Sequence, residues 1–125
     1  MRPIARTIHL VIAWLVVAGL VIQVWLAGRG IFDSSAGFAT HRVLGYTIGL
    51  APIVLLVLGF LCGMGRRVAI LAVAIFVLVI VQSVLVVMRT SNPDIAAIHP
   101  VNGFLILLLA IVLARNSWML RGEAA

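Results

Sequence analysis

The stretch VAILAVAIFVLVIVQSVLVVM, residues Val68–Met88, decides the fold. It holds no charged residue, and it is bracketed by Arg66 and Arg67 on one side and Arg89 on the other. A helix rises about 1.5 Å per residue, so about 20 apolar residues cross a hydrocarbon core about 30 Å thick. Arginines at both ends of such a run sit where lipid headgroups begin. Three more stretches have the same character: Ile8–Ala27, Val43–Cys62 and Ile95–Ala114. The expected fold is all-α: an integral membrane four-helix bundle, antiparallel and up-down-up-down. It is a single domain over residues 1–125, with helices at about 8–27, 43–62, 68–88 and 95–114.

Composition points the same way. The chain is 65% hydrophobic, with a mean hydropathy of +1.31, whereas a soluble domain has about 45–50% apolar residues. A soluble core cannot hide that much apolar surface, so lipid is the expected solvent. The net charge is +6 and the pI about 11.7. Every basic residue is an arginine, and the arginines flank the apolar runs, which argues against nucleic acid as a partner. Arg2, Arg6, Arg66, Arg67, Arg115 and Arg121 would lie on one side, and Arg29, Arg42 and Arg89 on the other. By the positive-inside rule both termini are cytoplasmic (N-in, C-in), and the bacterial inner membrane is the expected location. The first stretch is read as a retained helix, because it is long for a signal peptide and Gly28-Arg29-Gly30 is a poor cleavage site. The single cysteine, Cys62, is read as a buried free thiol.

The connections differ in kind. Gly63-Met64-Gly65 predicts a tight turn that makes helices 2 and 3 neighbours. Gly28–Thr40 is read as a longer outer loop, with Phe32 and Phe38 lying over the outer mouth of the bundle. Asn92-Pro93 is a helix start, with Asn92 the N-cap and Pro93 the first helical residue. Pro100 is expected to kink helix 4 near His99 without ending it.

Polar groups inside spans are the candidates for chemistry. These are His9, His41 and His99, with Gln23 and Gln82 as neutral polar residues. His41 starts helix 2 and His99 lies near the start of helix 4, so both are expected at similar outer depth, on helices that face each other across the core. His41 has Gly45 at i+4 and Gly49 at i+8, and His99 has Gly103 at i+4; i and i+4 share a helix face. A side-chain-free patch one turn below an imidazole lets a porphyrin approach the backbone. Two imidazoles from facing helices are then suited to ligate one haem iron, with haem b as the expected cofactor. The same glycines also suit simple helix packing, because Gly45 and Gly49 form a GxxxG pattern. Arg42 and Arg89, with Arg29 in the loop, are candidates for the haem propionates, and interfacial anchoring is their other role. Met88, at this depth, is an alternative candidate for axial ligand, read in preference as a lipid-facing or packing residue. His9, roughly 25–30 Å away along the bundle, is read as interfacial. Gln82 is placed either at a haem edge or in a hydrogen bond to another helix.

His41-Arg42-Val43-Leu44-Gly45 resembles the "HRxLG" helix opening of the haem A synthase family. Val81-Gln82-Ser83 through Ile98-His99 resembles that family's third helix, short outer loop and histidine-bearing fourth helix. Those enzymes have eight helices in two similar halves, and this chain is similar to one half over nearly its whole length. The resemblance implies His41 and His99 as axial ligands, and the eight-helix arrangement implies a homodimer. Two departures matter. Phe38 stands where the catalytic half has glutamate, and the first outer loop lacks the cysteine pair that many members carry. Oxidation of a haem methyl group is therefore not expected, and no catalytic residue is assigned.

The reading is a b-type haem-binding membrane protein with bis-histidine ligation near the outer leaflet. It would serve electron transfer or haem handling, with a quinone, a redox protein or a larger membrane complex as partner. The rival reading is a cofactor-free structural or accessory subunit of a larger membrane complex. A transporter ranks last, because the spans hold no acid and no pair of broken helices.

Overall fold

A computed structural model describes residues 2–122, with side chains for residues 3–120. The arginine count above draws on Arg2 and Arg121, whose side chains lie outside the described residues. Four long helices, α1 (Arg2–Phe32), α2 (Ala36–Leu61), α3 (Gly65–Val87) and α5 (His99–Gly122), are joined by three turns, the last of which contains the short α4 (Pro93–Ala96). Among the described residues four spans are long and apolar enough to cross a membrane: Pro3–Phe32, Ala36–Leu61, Gly65–Val87 and Pro93–Leu120. Helix α1 packs on α2 and α5, and α3 packs on the same two, so α2 faces α5 across the middle of a ring.

The core is built from small and branched residues. Ala13, Val16, Val17, Leu55, Ala72, Ile75, Ile106, Ala110, Leu113 and Ala114 form one buried cluster. Lipid tails are as apolar as leucine, so helices in a bilayer associate through close packing and hydrogen bonds, and alanines at the contacts provide closeness. The opposite faces carry exposed Leu15, Val43, Phe60 and Leu108, as a lipid-facing surface requires.

The turn between α2 and α3 is built as the sequence predicts. Met64 N–H donates to Gly59 O at 2.9 Å, and Gly63 N–H donates to Phe60 O at 3.1 Å. These two bonds are the Schellman pattern, which needs a left-handed residue at the helix end. Gly63, at φ 61°, supplies it. Cys62 is buried here with a free thiol, beside Met64 and Val68.

The connection between α1 and α2 is not the predicted long loop. Both helices run on until only Asp33–Ser35 separate them. Glycine makes this possible. A Cβ on Gly37 would lie 2.5 Å from the Gly30 nitrogen, so the two backbones touch where α1 ends and α2 begins. Phe38 packs its ring on Gly30, while Phe32 is 90% exposed and covers nothing.

The fourth span also departs from expectation. Asn92 caps α4 as predicted, its side chain accepting from Ile95 N–H at 3.3 Å. The helix then breaks at Ala97–Ile98 and restarts at His99, where a kink alone was expected. Pro100 has no N–H to give Ala96 O, and Ile98 N–H reaches back only to Ile95 O, at 3.0 Å. Pro100 is therefore near the start of a new helix, the position proline tolerates best.

Candidate functional site

His41 and His99 come together. Their ring centroids are 6.3 Å apart, with the planes tilted by 57°. His41 is in the second turn of α2 and His99 is the first residue of α5, so the helix break brings His99 to the level of its partner. Both imidazoles are half-buried.

His41 Nδ1 lies 2.9 Å from the backbone oxygen of Gln23 on α1. A carbonyl only accepts, so Nδ1 carries the proton and the lone pair is on Nε2. On the other side, His99 Nε2 lies 3.2 Å from Gln82 Nε2 on α3. Gln82 Oε1 accepts from Asn102 Nδ2 at 2.6 Å, and Asn102 Nδ2 also donates to Leu78 O at 2.9 Å. Gln23, His41, His99, Gln82 and Asn102 thus make a polar belt that crosses α1, α2, α5 and α3. Gln23 Oε1 and His99 Nδ1 are buried in it without a hydrogen-bond partner. Buried polar atoms are usually paired, so two unpaired ones in one belt mark it as the candidate site.

The glycines beside the histidines do different things. A Cβ on Gly45 would meet Gln23 Nε2 at 2.8 Å, and one on Gly103 would meet Gln82 Nε2 at 3.3 Å. Both flat patches are therefore covered by the flexible ends of glutamines from neighbouring helices. Gly49 instead faces Val79 Cγ1, at 3.2 Å from its hypothetical Cβ, and serves the α2–α3 contact. Gln82 makes the interhelical hydrogen bond that was one of its two expected roles. Gln23 is named in the sequence without a role. Asn102 is missed there, although a polar residue at i+3 from His99 inside a span was the available signal.

The arginines are less tied to the pair. Arg42 is exposed. Arg89 is exposed and donates to Val86 O at 3.2 Å, closing the end of its own helix. Arg29 bonds Asp33 through Nε at 3.1 Å as well as through Nη2, and it stands 5.6 Å from the Trp25 ring.

Residues 23–90 match a family described as a family of unknown function (DUF6220). The chain belongs to that family. No curated protein and no solved structure matches it. The DUF6220 match includes Gln23, His41 and Gln82 of the belt and ends before His99 and Asn102.

His9, read from the sequence as interfacial, faces the inside of the bundle. It is completely buried, with Nε2 donating to Leu55 O at 3.1 Å and Nδ1 3.1 Å from Ser117 Oγ. It ties α1 to α2 and α5, and Gly59 leaves room for its ring. Nearby, Arg6 donates to Leu120 O at 3.1 Å and to Cys62 O at 3.4 Å, serving the C-terminal ends of two helices at once. A cation there also meets the negative ends of both helix dipoles.

Proposed function

We propose that this chain is a membrane haem-binding protein in which His41 and His99 are the axial ligands. One observation carries the reading: the 6.3 Å separation of the two imidazole centroids. A metal–imidazole bond is about 2.0 Å and the ring centre lies about 1.1 Å beyond the nitrogen, so two imidazoles on opposite sides of one metal have centroids about 6.2 Å apart. Each ring turns freely about its own bond to the metal, so a 57° tilt is compatible with this arrangement.

The donor set fits haem. Among the described residues no three His, Cys, Asp or Glu side chains converge on a common point. Iron in a porphyrin needs only two protein ligands, because the macrocycle supplies the other four. The His41 Nδ1–H bond to Gln23 O orients the ring and leaves Nε2 as the donor, the outer support that metal-binding histidines usually have. The side chains covering Gly45 and Gly103 are glutamine tips, which can move aside without shifting backbone. The resemblance of the His41–Gly45 segment to the haem A synthase family adds weight. When bound, the haem would supply one-electron chemistry, with His41 and His99 the residues that would hold it. Electron transfer or haem handling at the outer face follows, with both termini cytoplasmic, in a bacterial inner membrane. Exposed Arg42 and Arg89 are the groups available to propionates, and two copies would give an eight-helix assembly.

The test is an absorption spectrum of the purified protein, air-oxidised and then dithionite-reduced, for the wild type, His41→Ala and His99→Ala. Sharp reduced α and β bands that shift or vanish in both variants support the reading. A wild type that stays colourless when haem is supplied sinks it in favour of a cofactor-free subunit.

A further inference from the structure

The hydrogen bonds that end on His99 have a fixed direction. Leu78 O only accepts, so the group facing it at 2.9 Å is the NH₂ of Asn102. The same NH₂ donates to Gln82 at 2.6 Å, which makes that atom the amide oxygen. Gln82 therefore turns its own NH₂ toward His99 and donates to Nε2 at 3.2 Å. A nitrogen that accepts carries no proton, so the His99 proton is on Nδ1. Nδ1 is the buried atom left without a partner. The same Gln82 NH₂ covers the flat surface of Gly103.

The two histidines are thus unequal. His41 has its Nε2 lone pair free of the Gln23 bond, which uses Nδ1. His99 has its Nε2 lone pair engaged by an amide. Gln82 takes up the electron pair a metal would need and also fills the groove beside it.

We propose that Gln82 is the gate of the His41/His99 site. With Asn102 holding its amide in register, Gln82 keeps His99 masked in the ligand-free bundle, and His99 binds a metal only after Gln82 leaves. His41 therefore engages first and His99 second. The identity of the ligand rests on the haem reading above; the masking of His99 rests on the hydrogen-bond relay alone.

Two readouts test it on the full chain in detergent. The first is the ¹⁵N–¹H correlation spectrum of the imidazoles in ligand-free protein, with His99 assigned by comparison with His99→Ala. The expected wild-type tautomer is Nδ1–H, and Gln82→Ala and Asn102→Ala should both move the proton toward Nε2. The second is hemin uptake followed by its absorbance. Wild type should reach the bis-histidine spectrum in two phases, and Gln82→Ala should speed the second about five- to tenfold, the factor one neutral hydrogen bond carries. Asn102→Ala should act in the same direction and replaces Gln82→Ala if that variant does not fold. Wild type that takes up hemin no more slowly than either variant overturns the gate and leaves the haem reading standing, as does wild-type His99 already in the Nε2–H form. If neither wild type nor the variants take up hemin, the haem reading falls and the gate falls with it.

Discussion

At the scale of single residues, the consequential positions are those where a side chain has no room or no substitute. Gly37 is one. An added methyl group would press on the Gly30 nitrogen, on Gly30 Cα and on the Arg29 carbonyl carbon, all backbone atoms that cannot step aside. Gly37→Ala should cost about 1–3 kcal/mol, the usual penalty for overpacking, read as a lower midpoint in denaturant titration of the detergent-solubilised bundle. Gly45→Ala should cost less, because the atom it meets is the tip of Gln23. His9 is another. Its replacement by alanine empties a fully buried site and strips partners from Leu55 O and Ser117. A loss of about 2 kcal/mol is expected from the cavity plus hydrogen bonds that in membranes average about 0.6 kcal/mol each. On the proposed haem reading, hemin bound to His9→Ala should give the wild-type spectrum, since His9 belongs to neither the pair nor its belt. An unaltered unfolding midpoint would show that this buried network does not hold the bundle together.

At the scale of elements, the break at Ala97–Ile98 matters most. Apolar length alone shows that a fourth span exists, and Asn92-Pro93 shows where it begins. The break is harder to read, because a proline seven residues into a helical run is compatible with both a kink and a restart. The outcome depends on whether the freed carbonyl at Ala96 is better tolerated within a turn, and that is a tertiary question. Pro100→Ala restores an N–H for Ala96 O. Amide exchange across Ala97–His99 should slow about tenfold, roughly what one additional backbone hydrogen bond contributes. His99 should then turn away from His41 and hemin should bind more weakly. Slower exchange with unchanged hemin affinity would mean that the break does not position the ligand. The α1–α2 corner teaches a related point. Gly28, Gly30 and Gly37 read locally as loop residues, yet they are helical. At Gly30 and Gly37 the lack of a side chain serves a contact between helices that no local pattern reveals.

At the scale of the whole molecule, the number of long apolar helices follows from the apolar runs of the sequence. The pairing of His41 with His99 is legible because each lies near the same end of an apolar run, although the helices themselves start at Ala36 and His99 and not where the sequence places them. The partners of the two histidines are not, because a hydrogen bond from Asn102 to Gln82 joins residues on different helices, and spacing along one helix says nothing about it. The same limit hid the burial of His9, since a histidine near the end of a span looks interfacial until Ser117 is known to face it. Orientation in the membrane is open to direct measurement. In a Cys62→Ala background, Arg66→Cys should react with a membrane-impermeant maleimide only in inverted vesicles, and Ser91→Cys only in right-side-out ones. The reverse pattern would invert the arginine-based assignment.

The two hydrogen bonds that Arg6 donates, to Cys62 O and to Leu120 O, bear on how the chain is made. Arg6 and its second partner are 114 residues apart in sequence, and His9 and Ser117 are 108 apart. A polypeptide leaves the ribosome from its N-terminus, so the first turns of α1 reach the bilayer long before the residues that fasten them. Until the last span has been delivered, the buried imidazole and the guanidinium have to be sheltered by something else, such as headgroups, water or the insertion machinery. A nascent chain halted after α3 would hold three inserted helices with one end still unlatched, and it should be more open to protease at that end than the finished protein.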